Sequence, residues 1–119
     1  MSLLVDVFVM NEAGERVLLD SPADGSHLAG HERMRTMLWG SEAVRELGAR
    51  YLPVLADGDL WVDPGDVPSF LSECELIRTN IPALAAATER SEEYISFRLN
   101  NIIQAARRAI DLGGGVVVW

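Results

Sequence analysis

Apolar positions in this chain follow two different periods, and the switch between them divides it into strands and helices. Leu4, Val5, Val7, Phe8, Val9 and Met10 form a β-branched and aromatic run broken only by Asp6, which predicts a strand over 4–10. Asn11-Glu12-Ala13-Gly14 supplies turn residues, and Arg16 to Leu19 returns as a strand over 15–19, closing an N-terminal hairpin. Residues 20–30 read as loop from their proline, glycine, serine and aspartate content.

Helical spacing takes over downstream. Met34, Met37 and Leu38 share a face and predict a short helix over 32–38. Ser41 has the place of an N-cap for a helix over 41–48, with Val44 and Leu47 inward and Gly48 as its stop. Residues 51–62 admit two readings. Asp57-Gly58 could turn a hairpin ending in a strand over 60–62, or the first half could be helical, since Pro53 weakens any strand there. Val67, Phe70, Leu71, Cys74, Ile77 and Ile81 make one stripe of a helix over 66–80 that Asp66 could cap, and residues 82–87 suggest a further short helical piece.

The longest pattern runs over 91–112. Ile95, Leu99, Ile102, Ile103, Ala106, Ala109 and Ile110 define its inward arc, and Glu92 and Glu93 suit the positive end of the helix dipole. Glycines then stop it, and Val116-Val117-Val118-Trp119 predicts a buried strand over 115–119 beside the N-terminal one. The expected fold is a single α+β domain over 1–119. It has a small, mainly antiparallel sheet containing the N-terminal hairpin and the C-terminal strand, and three to four helices packed mostly on one face. A parallel α/β layer arrangement is the alternative.

Composition narrows the function classes. Apolar residues make up 49% of the 119, enough for one domain that removes about two-thirds of its unfolded surface from water. Eighteen acids face ten bases, for a formal charge of −8, and every base is arginine. Such a chain repels phosphate backbones, so no nucleic acid partner is expected; a basic protein partner is. No apolar run reaches the roughly 20 residues that span a bilayer, so no membrane association is expected. One cysteine and a start without a basic leader suit the cytoplasm.

Candidate chemistry is sparse. Gly113-Gly114-Gly115 follows a helix rather than preceding one, the reverse of a phosphate loop, and reads as a helix stop and turn. Asp57, Asp59, Asp63 and Asp66 hint at calcium, yet an EF-hand loop begun at Asp57 would need an oxygen ligand at Trp61, glycine at Val62 and glutamate at Pro68. His27 and His31 lack a third ligand, and Cys74 lies within an apolar stripe, so neither a metal nor a thiol nucleophile is expected. No cofactor is implied.

What remains is surface. Residues 51–77 carry Asp57, Asp59, Asp63, Asp66, Glu73 and Glu75 without one base, a candidate docking segment for a basic partner. On the last helix, Phe97 is expected among Glu93, Asn101, Gln104 and Arg108, an aromatic on a polar face. Tyr94, Arg98 and Asn101 form a row beside it that could hold a ligand carboxylate.

In size, acidity and helix-to-terminal-strand layout, and in the segments LWVDPGDV and LGGGVVVW, the chain resembles small uncharacterised actinobacterial proteins, some immunity and antitoxin proteins among them. That resemblance assigns no residue a role; the charge of −8, the base-free stretch 51–77 and the lack of a paired acid/base, nucleophile or metal set predict a non-enzymatic, acidic protein-binding domain. A small-molecule binding or enzymatic domain using Tyr94, Arg98 and Asn101, and a homodimer burying Phe97, are the competing expectations.

Overall fold

The computed structural model describes residues 2–119 as an α+β fold with a five-stranded, wholly antiparallel sheet. The strands are β1 (Ser2–Met10), β2 (Arg16–Leu18), β3 (Leu28–His31), β4 (Leu60–Val62) and β5 (Gly115–Val118). The α-helices are α1 (Glu42–Glu46), α2 (Val67–Arg78), α3 (Ile81–Thr88) and α4 (Glu92–Leu112). Strand order is β2-β1-β5-β4, with β3 pairing the first half of β1 on the edge that β2 takes further along. The C-terminal strand is therefore interior, flanked by the first strand and by β4. Antiparallel pairing throughout removes the parallel alternative.

Alternation sorts each strand's side chains onto two faces. Leu3, Val5 and Val7 of β1, Leu60 and Val62 of β4, and Val116 and Val118 of β5 enter one core with Ile95, Leu99, Ile102 and Ala106 of α4 and Phe70, Cys74 and Ile77 of α2. Leu4, Asp6, Phe8, Trp61, Val117 and Trp119 take the other face and lie outside that core. Helices thus cover one side of the sheet and leave the outer side to its own side chains.

Local chemistry accounts for the helix ends. Ser41 and Ser91 cap α1 and α4, their hydroxyls accepting from the N–H of Val44 (3.3 Å) and Tyr94 (3.0 Å). Gly113 closes α4 in the left-handed conformation, φ 65°. The next two glycines serve packing rather than turning. A Cβ on Gly114 would strike the Phe8 carbonyl, and one on Gly115 would strike the Phe8 ring and the Val62 carbonyl, so only glycine lets β5 slide between its neighbours.

Several expectations need correction. Residues 28–31 are strand, not loop: Leu28 and Gly30 pair with β1, and the four-residue element carries too short a pattern to stand out beside Gly25 and Ser26. Residues 51–62 do not form a hairpin. Leu52–Ala56 is a 3₁₀ turn, and β4 pairs with β5 instead of with the segment before Asp57. The helix expected over 32–38 is a single wide turn over Arg35–Trp39, with Met34 and Leu38 buried but Met37 exposed. Asp66 makes no capping bond, because Pro64–Asp66 is itself a 3₁₀ turn leading into α2. Ile110 is exposed as well, since the final turn of α4 stands clear of the core along with Leu112.

Cys74 is fully buried on α2, and burial, with Glu73 and Glu75 adding to it, pushes its thiol far above the usual range. Thiol reagents should therefore leave native protein unlabelled and react stoichiometrically in denaturant. Rapid labelling of the folded chain, followed by mass spectrometry, would place that face of α2 in solvent.

Candidate functional site

The outer face of the sheet holds the largest concentration of interaction-prone side chains. Register dictates its composition: Phe8 stands opposite Leu18, Trp61 opposite Val117, and Met10 opposite Arg16. The Phe8 and Trp61 rings lie 5.5 Å apart at 59°, and Trp61 meets Trp119 edge-on at 5.7 Å. Arg16 closes the cluster from β2, its guanidinium 4.7 Å from the Trp61 ring centre and 5.5 Å from that of Phe8. Asp63 holds this guanidinium in place at 3.0 Å. Phe8 is wholly buried beneath these groups, whereas Trp61 remains 37% exposed.

Asp6 explains the one polar break in the first strand. It points to the outer face, is only 7% exposed, and uses both carboxylate oxygens. Oδ1 accepts from the Ser21 hydroxyl at 2.6 Å and Oδ2 from the Trp119 indole N–H at 2.9 Å. Trp119 is thereby locked in orientation, with its backbone paired to Leu4 in both directions. Beside it opens a hollow of about 530 Å³ lined by Ser2, Leu4, Glu32, Arg35, Asp59 and Trp119.

Charge is distributed as unevenly as the aromatics. Residues 2–27 and 57–66, which build β1, β2, β4 and their flanks, carry nine acids and one arginine. The remaining chain carries nine acids and nine arginines. The whole formal charge of −8 thus belongs to the segments around the outer face.

The acidic stretch 51–77 separates into distinct roles. Asp59 pairs with Arg35 at 3.4 Å, Asp63 with Arg16, and Glu75 with Arg78 and with Arg107 at 3.4 Å. Glu73 is buried: its carboxylate accepts the backbone N–H groups of Arg50, Tyr51 (3.0 Å) and Leu52 (2.9 Å) at the start of the 3₁₀ turn. Only Asp57 and Asp66 of the six have an exposed carboxylate with no arginine within 4 Å among the described residues. Arginines distant in sequence supply the missing bases, which no local window could reveal.

Two side chains of the row on α4 are tied to β3. The Tyr94 hydroxyl accepts from the His31 N–H at 3.0 Å, and the Asn101 amide donates to the Leu28 carbonyl at 2.9 Å, so both pin β3 to the helix. Asn101 is accordingly buried rather than beside Phe97 on the polar face. Arg98 lies over the rings of Tyr94 and Phe97, 5.4 and 5.2 Å from their centres. Phe97 itself, 61% exposed, borders a shallow hollow of about 710 Å³ with Ile81, Pro82 and Arg78. His27 and His31 take different places, one in the loop and one at the end of β3. Among the described residues, no three His, Cys, Asp or Glu side chains gather closely enough to hold a metal ion, and no helix is long and apolar enough to cross a membrane.

Sequence reasoning singled out Asp59 and Asp63 but not Phe8, Arg16, Trp61 or Trp119 as one surface. The available signal was alternation: Trp61 lies between the core residues Leu60 and Val62, and Phe8 between Val7 and Val9. Comparison with protein-family models, with curated proteins and with solved structures finds no match.

Proposed function

We propose that this chain is an acidic, non-enzymatic protein-binding domain, of the kind that neutralises a basic protein, and that its contact face is the outer side of the sheet. The observation that carries the reading is the coincidence of two asymmetries. The molecule's entire net charge falls on the same segments that present Trp61 and Arg16, the side chains that gather with Trp119 on this face. Tryptophan and arginine are the residue types most enriched among interface positions that dominate binding energy. Surrounding carboxylates accelerate encounter with a basic surface and penalise acidic competitors. Asp6 orients Trp119 through a part-buried hydrogen bond, so little of that side chain's freedom is lost on docking.

The test is retention of basic soluble proteins from the native host on the immobilised chain, repeated with Trp61→Ala. A partner with pI above about 9 should bind in a salt-dependent way. Its affinity should fall by about 2 kcal/mol or more in the variant, roughly thirtyfold. The variant should keep a cooperative melt at a lowered temperature, since Trp61 packs on Phe8 and Trp119, and retention is compared where both proteins are folded. Equal retention by parent and variant, or a partner mapped by cross-linking onto α4, would overturn the assignment.

A further inference from the structure

A second hollow, of about 470 Å³, opens between the end of β3 and the connection from α3 to α4. His31, Glu32, Arg33, Met34 and Arg90 line it. Its volume falls within the range of small-ligand clefts. Its electrostatics run against those of the whole molecule.

Glu32 is the single acid of the lining, and Arg35 already binds it at 2.7 Å. Among the described residues neither Arg33 nor Arg90 has a carboxylate within 4 Å, whereas Arg16, Arg35, Arg78 and Arg107 all do. In a chain with eighteen acids, two unpaired guanidiniums facing one cavity leave a local excess of positive charge and of donors. None of the other unpaired arginines, Arg45, Arg50, Arg98 and Arg108, lines this hollow.

Arg90 is the more telling of the two. Its Nε is inaccessible and has no acceptor among the described residues, and its Nη2 rests on the Met37 sulfur at 3.9 Å, a weak acceptor. Because that nitrogen is enclosed, a ligand in the hollow can reach only the terminal nitrogens of the guanidinium. The turn that delivers it is itself constrained: Glu89, immediately before, adopts φ 56°, ψ 34°, a left-handed conformation disfavoured for residues other than glycine. Arg33, just after β3, lines the same hollow and is exposed.

We infer that this hollow binds a small oxyanion, a phosphate- or carboxylate-bearing molecule clasped between Arg33 and Arg90. Planar guanidiniums present paired N–H donors that match either oxyanion bidentately, and two of them lining one hollow fit a ligand with at least two anionic oxygens. Met34 forms an apolar floor, and His31 adds a ring at the rim. The inference does not depend on the protein-binding reading. The two hollows share Glu32, but their binding groups are different side chains.

Titration calorimetry and thermal melts with inorganic phosphate, pyrophosphate and citrate, against sodium chloride at matched ionic strength, test it. At least one oxyanion should bind saturably and raise the melting temperature. A response to phosphate and pyrophosphate alone identifies a phosphate site, and a response to citrate alone identifies a carboxylate site. Arg33→Gln and Arg90→Gln should each weaken that binding at least about tenfold, with Arg45→Gln as an unchanged control. Arg33→Gln keeps the test valid should Arg90→Gln impair folding, because Arg33 is exposed. Melts that respond to oxyanions no more than to chloride, or binding of the same strength in Arg33→Gln, would overturn the inference. Trp61→Ala should leave oxyanion binding intact, which separates failure here from failure of the protein contact.

Discussion

A chain lacking Val116–Trp119 is expected to show no cooperative thermal transition at all. Val116, Val117 and Val118 are fully buried, and each such side chain contributes about 1.5–3 kcal/mol on transfer from water. Their loss alone approaches the roughly 5–15 kcal/mol by which domains are stable. The strand is also interior, so its removal strips hydrogen-bonding partners from β1 and β4 together and leaves Asp6 without the Trp119 indole. Circular dichroism against temperature provides the check. A sharp melt within a few degrees of the parent would mean that the sheet holds together without its central strand.

Replacing Glu73 with alanine is expected to be the most damaging single substitution of a charged residue, at about 3–5 kcal/mol. Three backbone N–H groups, of Arg50, Tyr51 and Leu52, converge on its carboxylate in a part-buried site. Each donor left without an acceptor costs about 1–3 kcal/mol, and bonds to a charged acceptor lie at the upper end. Glu73→Gln should recover part of the loss, since one amide oxygen still accepts, while its NH₂ faces other donors. Denaturant melts at neutral pH measure both. If Glu73→Ala cost under 1 kcal/mol, the 3₁₀ turn over 52–56 would have to be held by Leu52 and Leu55 alone.

The terminal strand and Glu73 illustrate what a linear pattern can and cannot transmit. The terminal strand was legible because an unbroken β-branched run after a glycine stop has few other uses, and α4 because its apolar spacing persists for five turns. Glu73 was not, because nothing local marks a glutamate inside an acidic stretch as the acceptor for a loop more than twenty residues earlier. β3 escaped for a related reason: its place is secured by Asn101 and Tyr94, some seventy and sixty residues downstream. The same holds for the outer face, where Phe8, Arg16, Trp61 and Trp119 come from four strand regions and meet only through register. Periodicity reports which residues face inward; it does not report which partners they find there.

The pairing of the first strand with the last bears on how the molecule folds. Val5 meets Val118 and Phe8 meets Gly115, contacts that close a loop of more than a hundred residues. Such closure is entropically expensive and belongs late in the order of events, after the helical layer has shortened the path between the ends. Until it happens, β1 and β4 each present an open, apolar edge in the middle of the future sheet, the kind of template on which a second chain can add. Slow refolding, and losses to aggregation that grow with protein concentration, are the kinetic signature this topology imposes.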